Sequence, residues 1–179
     1  YDTLSRLLDY YSAYYRDTLK RLGLIDRYEE ARSLARELKN WREDIYAPGI
    51  EKIISLDLVL RNKAIIKTAN SRFEKILNDL RKLKNSKLLS LAEVEKYLGA
   101  ATANLKAAEA LDNEVTKILL QLLRKTTLNP DADRKNKPEA ILSDYKRISN
   151  LVDQSIIKIK TAYKIFIELN SEVKKLLEL

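Results

Sequence analysis

Five basic side chains crowd one short stretch of this chain: Arg124, Lys125, Arg134, Lys135 and Lys137, opposed only by Asp131 and Asp133. Pro130 and Pro138 punctuate the stretch. Arginine and lysine on a stiffened loop can enter an acidic pocket, and truncating such an anchor costs about 2 kcal/mol or more. A trypsin-like protease has a pocket of that kind, where an acid selects Arg or Lys. The chemistry on offer is recognition by charge. The plainer reading of the same loop is a solvated connection between helices.

Catalytic chemistry is poorly served elsewhere. The chain has no cysteine and no histidine. That excludes disulfides and thiol catalysis, and removes the commonest general base and metal ligand. The three glycines stand apart at 23, 49 and 99, so no glycine-rich loop cradles a phosphate. The acid pairs Glu29/Glu30, Glu43/Asp44 and Asp131/Asp133 read as surface or capping residues, and the 131–133 stretch lacks the glycine of a calcium loop. The expectation is a protein that is not an enzyme, with no catalytic residues, no metal and no cofactor.

The net charge is +8, but it is unevenly placed. Residues 1–50 carry nine basic and nine acidic side chains, whereas residues 61–87 carry nine basic ones against Glu74 and Asp79. A lysine-rich solvated helix face is one reading of that segment. A patch attracting nucleic acid, a glycosaminoglycan or an acidic protein surface is the other.

The elements that must position these residues follow from apolar periodicity. With three glycines and three prolines in 179 residues, the chain is short of turns and its elements should be long. A first helix, from about Asp2 to Leu22, carries the stripe Leu4, Leu7, Leu8, Tyr11, Tyr14, Tyr15, Leu19 and Leu22, with Gly23 free to end it in a left-handed turn. Tyr10 falls off that stripe and is expected to be exposed. Asp26 is the natural N-cap of a second helix reaching Tyr46, with Tyr28, Leu34, Leu38, Trp41 and Ile45 inward. Ala47-Pro48-Gly49 predicts a break.

A third helix spans about 50–84 on Ile50, Ile54, Leu58, Ile65, Ala69 and Phe73. A fourth spans 90–125, opened by the capping box Ser90/Glu93. Gly99 within it reads as a site of close helix approach, with a kink as the alternative. A fifth spans 138–179, with Pro138 suited to its first turn. The fold class is all-α: an elongated up-and-down bundle of four to five helices. It forms one domain over 1–179, a hairpin of 2–46 packed on three long helices. Tracing the chain places Arg42 at the same pole as Arg124, Lys125 and the basic loop.

Arg42-Glu43-Asp44-Ile45-Tyr46-Ala47-Pro48, then Ile53-Ile54-Ser55-Leu56 and Lys63-Ala64-Ile65-Ile66-Lys67-Thr68-Ala69, resemble the C-terminal domain of the Borrelia fibronectin-binding surface lipoproteins. The lysine-, leucine-, isoleucine- and asparagine-rich composition without cysteine fits that source. The resemblance covers nearly the whole chain. It implies a helical bundle on the bacterial outer surface that binds the r-type initiating protease of the first complement component and blocks the classical pathway. The protease-binding residues it implies are Arg42, Arg124 or Lys125, and Arg134 or Lys135.

It further implies a lipid anchor and a fibronectin-binding region, both in an N-terminal part absent from this chain. The lack of any methionine, even at position 1, also predicts a fragment of a larger precursor. A monomer is expected, with no nucleic acid bound and no membrane contact by this domain. The alternatives are a nucleic-acid or glycosaminoglycan-binding helical module, and a surface protein capturing complement factor H.

Overall fold

A computed structural model describes residues 2–85, 91–125 and 138–176, with side chains described for 5–82, 94–124 and 142–175. Of the described residues 97% are helical and none forms a strand, as expected of an all-α bundle. Helix α1 is Asp2–Leu22, α2 Tyr28–Trp41, α3 Ala47–Asn85, α4 Leu91–Lys125 and α5 Pro138–Leu176. A five-residue π-helix, Arg42–Tyr46, joins α2 to α3 without interruption.

That junction corrects the expected break at Ala47-Pro48-Gly49. The helix runs through the proline because the turn before it is wide. In an unbroken α-helix the Pro48 ring would collide with the carbonyl of Asp44, and Pro48 has no N–H to give. Here the Ala47 N–H donates five residues back, to the Arg42 carbonyl. The wider turn carries the obstructing carbonyl out of the path of the ring.

The chain divides into two compact units. The first comprises Tyr1–Leu56 and Leu119–Lys146. Its core joins Leu7 and Tyr11 of α1 to Trp41 and Ile45, with Tyr14, Leu38, Tyr46, Ile50 and Ile53 packed around them. Trp41 is buried as expected. It stacks on Tyr14 at 3.9 Å between centroids and 6° between planes, and meets Tyr11 and Tyr15 edge-on. Tyr10 is half-buried rather than exposed, because its ring leans on Tyr11 at 5.8 Å.

The ends of α1 and α2 differ from expectation. Gly23 is not left-handed. Its N–H continues the helix to the Leu19 carbonyl, and Leu24 and Ile25 then bond back three residues to Arg21 and Leu22. The N-cap of α2 is Arg27, in extended conformation and without a side-chain cap, rather than Asp26. Glu29 and Glu30 in the first turn favour that helix end through its dipole.

The second unit comprises Asp57–Ile118 and Arg147–Leu179. Its cross-helix bonds run antiparallel from α3 to α4, with Asn62 to Asp112 and Asn70 to Glu109. They do so again between α4 and α5, where Arg147 donates to Glu114 and Ser155 to the Ala108 carbonyl. The core stacks Phe73 on Phe166 between fully buried alanines, Ala69, Ala101, Ala108 and Ala162. Alanine lets helix backbones approach closely at no cost in helix propensity. Gly99 takes no part: it is exposed, and a Cβ there would touch nothing within 4 Å. The capping box Ser90/Glu93 lies outside the described side chains.

Candidate functional site

The π segment builds a concavity of about 530 Å³ in the first unit. Ala35, Leu38, Lys39, Arg42, Glu43, Tyr46, Ala47, Ile50 and Glu51 line it, all from the continuous α2–π–α3 run. These positions recur in steps of about four, which overshoots an α-helical turn by about 0.4 residue each time. The extra residue of the π turn absorbs part of that drift. It thereby keeps Lys39, Arg42, Tyr46 and Ile50 on one side. π-turns inside α-helices are frequent at functional sites for this reason: they re-aim side chains.

Apolar groups, Leu38, Tyr46 and Ile50, form the floor. Lys39 and Glu43 face each other across 3.9 Å, one helical turn apart and both well exposed. Arg42 is exposed and forms no ion pair among the described residues. Its backbone N–H donates to the carbonyls of both Leu38 and Lys39, which fixes its backbone at the start of the wide turn. An exposed planar guanidinium can form two parallel bonds to a carboxylate.

Of the other expected binding residues, Arg124 is exposed near the end of α4 and falls in the same compact unit as Arg42. The side chain of Lys125 and the whole of Arg134 and Lys135 lie outside the described residues. Tyr46 is expected at the same pole as Arg42 and Ile50 on the inward stripe of α3, whereas Lys39 and Glu51 are not singled out by the sequence. A signal for them exists. The inward positions Trp41, Ile45 and Gly49 take two successive steps of four, a stutter that marks local unwinding of a helical repeat.

The basic face of 61–87 is partly engaged with its own surroundings. Arg61 pairs with Asp57 at 2.8 Å and Lys82 with Asp79 at 3.4 Å. Arg72 lies over the ring of Tyr163, 5.7 Å from its centroid. Lys63, Lys67 and Lys75 are exposed and form no ion pair among the described residues.

Among the described residues no cluster of acids could hold a metal, and no helix is long and apolar enough to cross a membrane. No family model matches the chain, and neither does any curated protein or solved structure.

Proposed function

We propose that this chain is a bacterial surface binding domain, lipid-anchored through a part absent here and without catalytic machinery of its own. It binds the r-type initiating protease of the first complement component and blocks the classical pathway. The observation that carries this reading is Arg42: an exposed cation lining a concavity beside Leu38, Tyr46 and Ile50, in the same compact unit as Arg124. The sequence resemblance to the Borrelia lipoprotein domain names the protease. An acidic protein surface is the matching partner for such a group, since a cation beside an apolar floor gives both orientation and buried area.

Surface plasmon resonance against the immobilised protease tests it. Arg42→Ala and Arg124→Ala should each weaken binding by about tenfold, about 1.4 kcal/mol. Arg134→Ala should do the same from the basic loop. Unchanged affinity in all three variants would sink the basic-pole reading.

A second reading draws on the exposed lysines Lys63, Lys67 and Lys75, which suit a polyanion such as nucleic acid or a glycosaminoglycan. It predicts affinity falling linearly in log salt. No retention on heparin at moderate salt removes it. Capture of factor H, the remaining alternative, is distinguished by a serum pull-down read by mass spectrometry.

A further inference from the structure

The tip of the α1–α2 hairpin carries apolar side chains that remain bare. Leu19, Leu22, Leu24 and Tyr28 are 70%, 52%, 81% and 76% exposed. Leu24 and Ile25 bond back to Arg21 and Leu22 at 3.1 and 3.3 Å, which folds the turn tightly and gathers these four side chains at one end. Periodicity assigns Leu19, Leu22 and Tyr28 to inward stripes. On α1 that stripe is used at Leu7, Tyr11 and Tyr14, with Thr18 beside them, whereas Leu19 and Leu22 near its end stay exposed. The hairpin thus ends in an apolar surface that no described residue covers.

Beside the bare face lies a concavity of about 390 Å³ lined by Arg21, Leu24, Ile25, Glu30, Ser33 and Leu34. A protruding leucine next to a recess is the arrangement a two-fold interface requires, because each copy can fill the other's recess. Charge points to the same occupant. Residues 1–50 are electroneutral with both signs interspersed, while the chain as a whole is +8. Two copies meeting through the remainder of the chain repel each other, and a neutral end removes that barrier. The four side chains expose on the order of 500 Å², so a pair buries on the order of 1,000 Å², near the lower bound of a specific interface.

We propose that two copies associate tip to tip through Leu19, Leu22, Leu24 and Tyr28, as a weak two-fold pair rather than the expected monomer. Sedimentation equilibrium of the whole chain, from micromolar to millimolar and at low and high salt, tests this. The mass should rise towards twice the monomer, and further at high salt, where residual repulsion is screened. Leu24→Glu and Leu19→Glu should hold the mass at the monomer with unchanged helical circular dichroism, since both positions are exposed.

If either variant loses helicity, isotope-filtered NMR on the wild type decides, by contacts between Leu24 of one copy and Leu34 of the other. A wild type that stays monomeric at millimolar concentration overturns the proposal. So does a mass that climbs past the dimer, or a dimer that Leu24→Glu leaves intact in folded form. A monomer whose Leu24→Glu variant loses protease binding also overturns it, and assigns the tip to the protease.

Discussion

Gly49 lies against the ring of Tyr11: a Cβ at position 49 would overlap the Tyr11 hydroxyl oxygen and sit 2.8 Å from Cζ. The glycine that sequence reasoning reads as a helix breaker is therefore the place where α1 packs onto the start of α3. The contact fixes Tyr11 in the aromatic cluster around Trp41, the residue that precedes Arg42.

Gly49→Ala should destabilise the protein by about 1–3 kcal/mol, the usual cost of forcing extra volume into a packed contact. In a Tyr11→Leu background the same change should become neutral or stabilising. Alanine is favoured over glycine in a helix by about 1 kcal/mol, and the obstructing ring is gone. Urea unfolding of the four proteins in the cycle measures the coupling. Simple additivity would show that the two residues do not constrain each other.

The helical architecture was legible because few turns and long 3.6-residue periods leave little else to build. The phase of the core in α3 was not. Apolarity selects Ile54 and Ile65, yet these are 46% and 41% exposed, and Lys52, Ser55 and Asn62 are buried in their place. A polar side chain belongs inside when a partner waits on another helix, and that partner is invisible to a reading of one helix at a time. Asp112 on α4 is such a partner for Asn62. The site was half legible for a related reason. Arg42 carries a resemblance and a charge, but the π turn that begins at it depends on how Pro48 is accommodated.

Asn62 donates to the buried Asp112 carboxylate at 2.8 Å. Asn62→Leu should cost about 1–3 kcal/mol or more, because it strands a buried acceptor without its donor. The double change Asn62→Leu/Asp112→Leu should recover much of that loss, since replacing both partners by apolar groups removes the desolvation penalty. Thermal unfolding of single and double variants checks it. A double variant less stable than either single one would refute the pairwise account.

Trp41 is buried among tyrosines, and its indole N–H meets no acceptor among the described residues. The ring is therefore held by packing alone. Trp41→Ala should cost about 3–5 kcal/mol, as large-to-small core changes do. Trp41→Phe should cost much less, because it keeps the stacking surface on Tyr14 and discards an unsatisfied donor. Denaturant midpoints followed by circular dichroism make the comparison. Equal losses in both variants would mean that the indole N–H does have a partner.

Glu37 ties the two helices of the hairpin together. Its carboxylate accepts two bonds from the Arg21 guanidinium, at 2.7 and 2.6 Å, and that pairing holds it below the usual carboxylate range. Burial, and then the neighbouring Glu37 charge, push the Tyr14 phenol up. A carboxylate whose folded pKa lies below its unfolded value contributes fully above the unfolded value. It loses that contribution as the pH falls through the folded one. The hairpin should accordingly be insensitive to pH near neutrality and weaken in acid.

The measurement is the difference in unfolding midpoint between wild type and Glu37→Gln across that range. The gap should be widest above the usual carboxylate range and close as the acid end is approached, because the glutamine variant has already lost the charged pair. Both partners are about half exposed, so added salt should narrow the gap at neutral pH as well. A gap that widens in acid would mean that Glu37 is favoured in its protonated form, opposite to the pairing with Arg21.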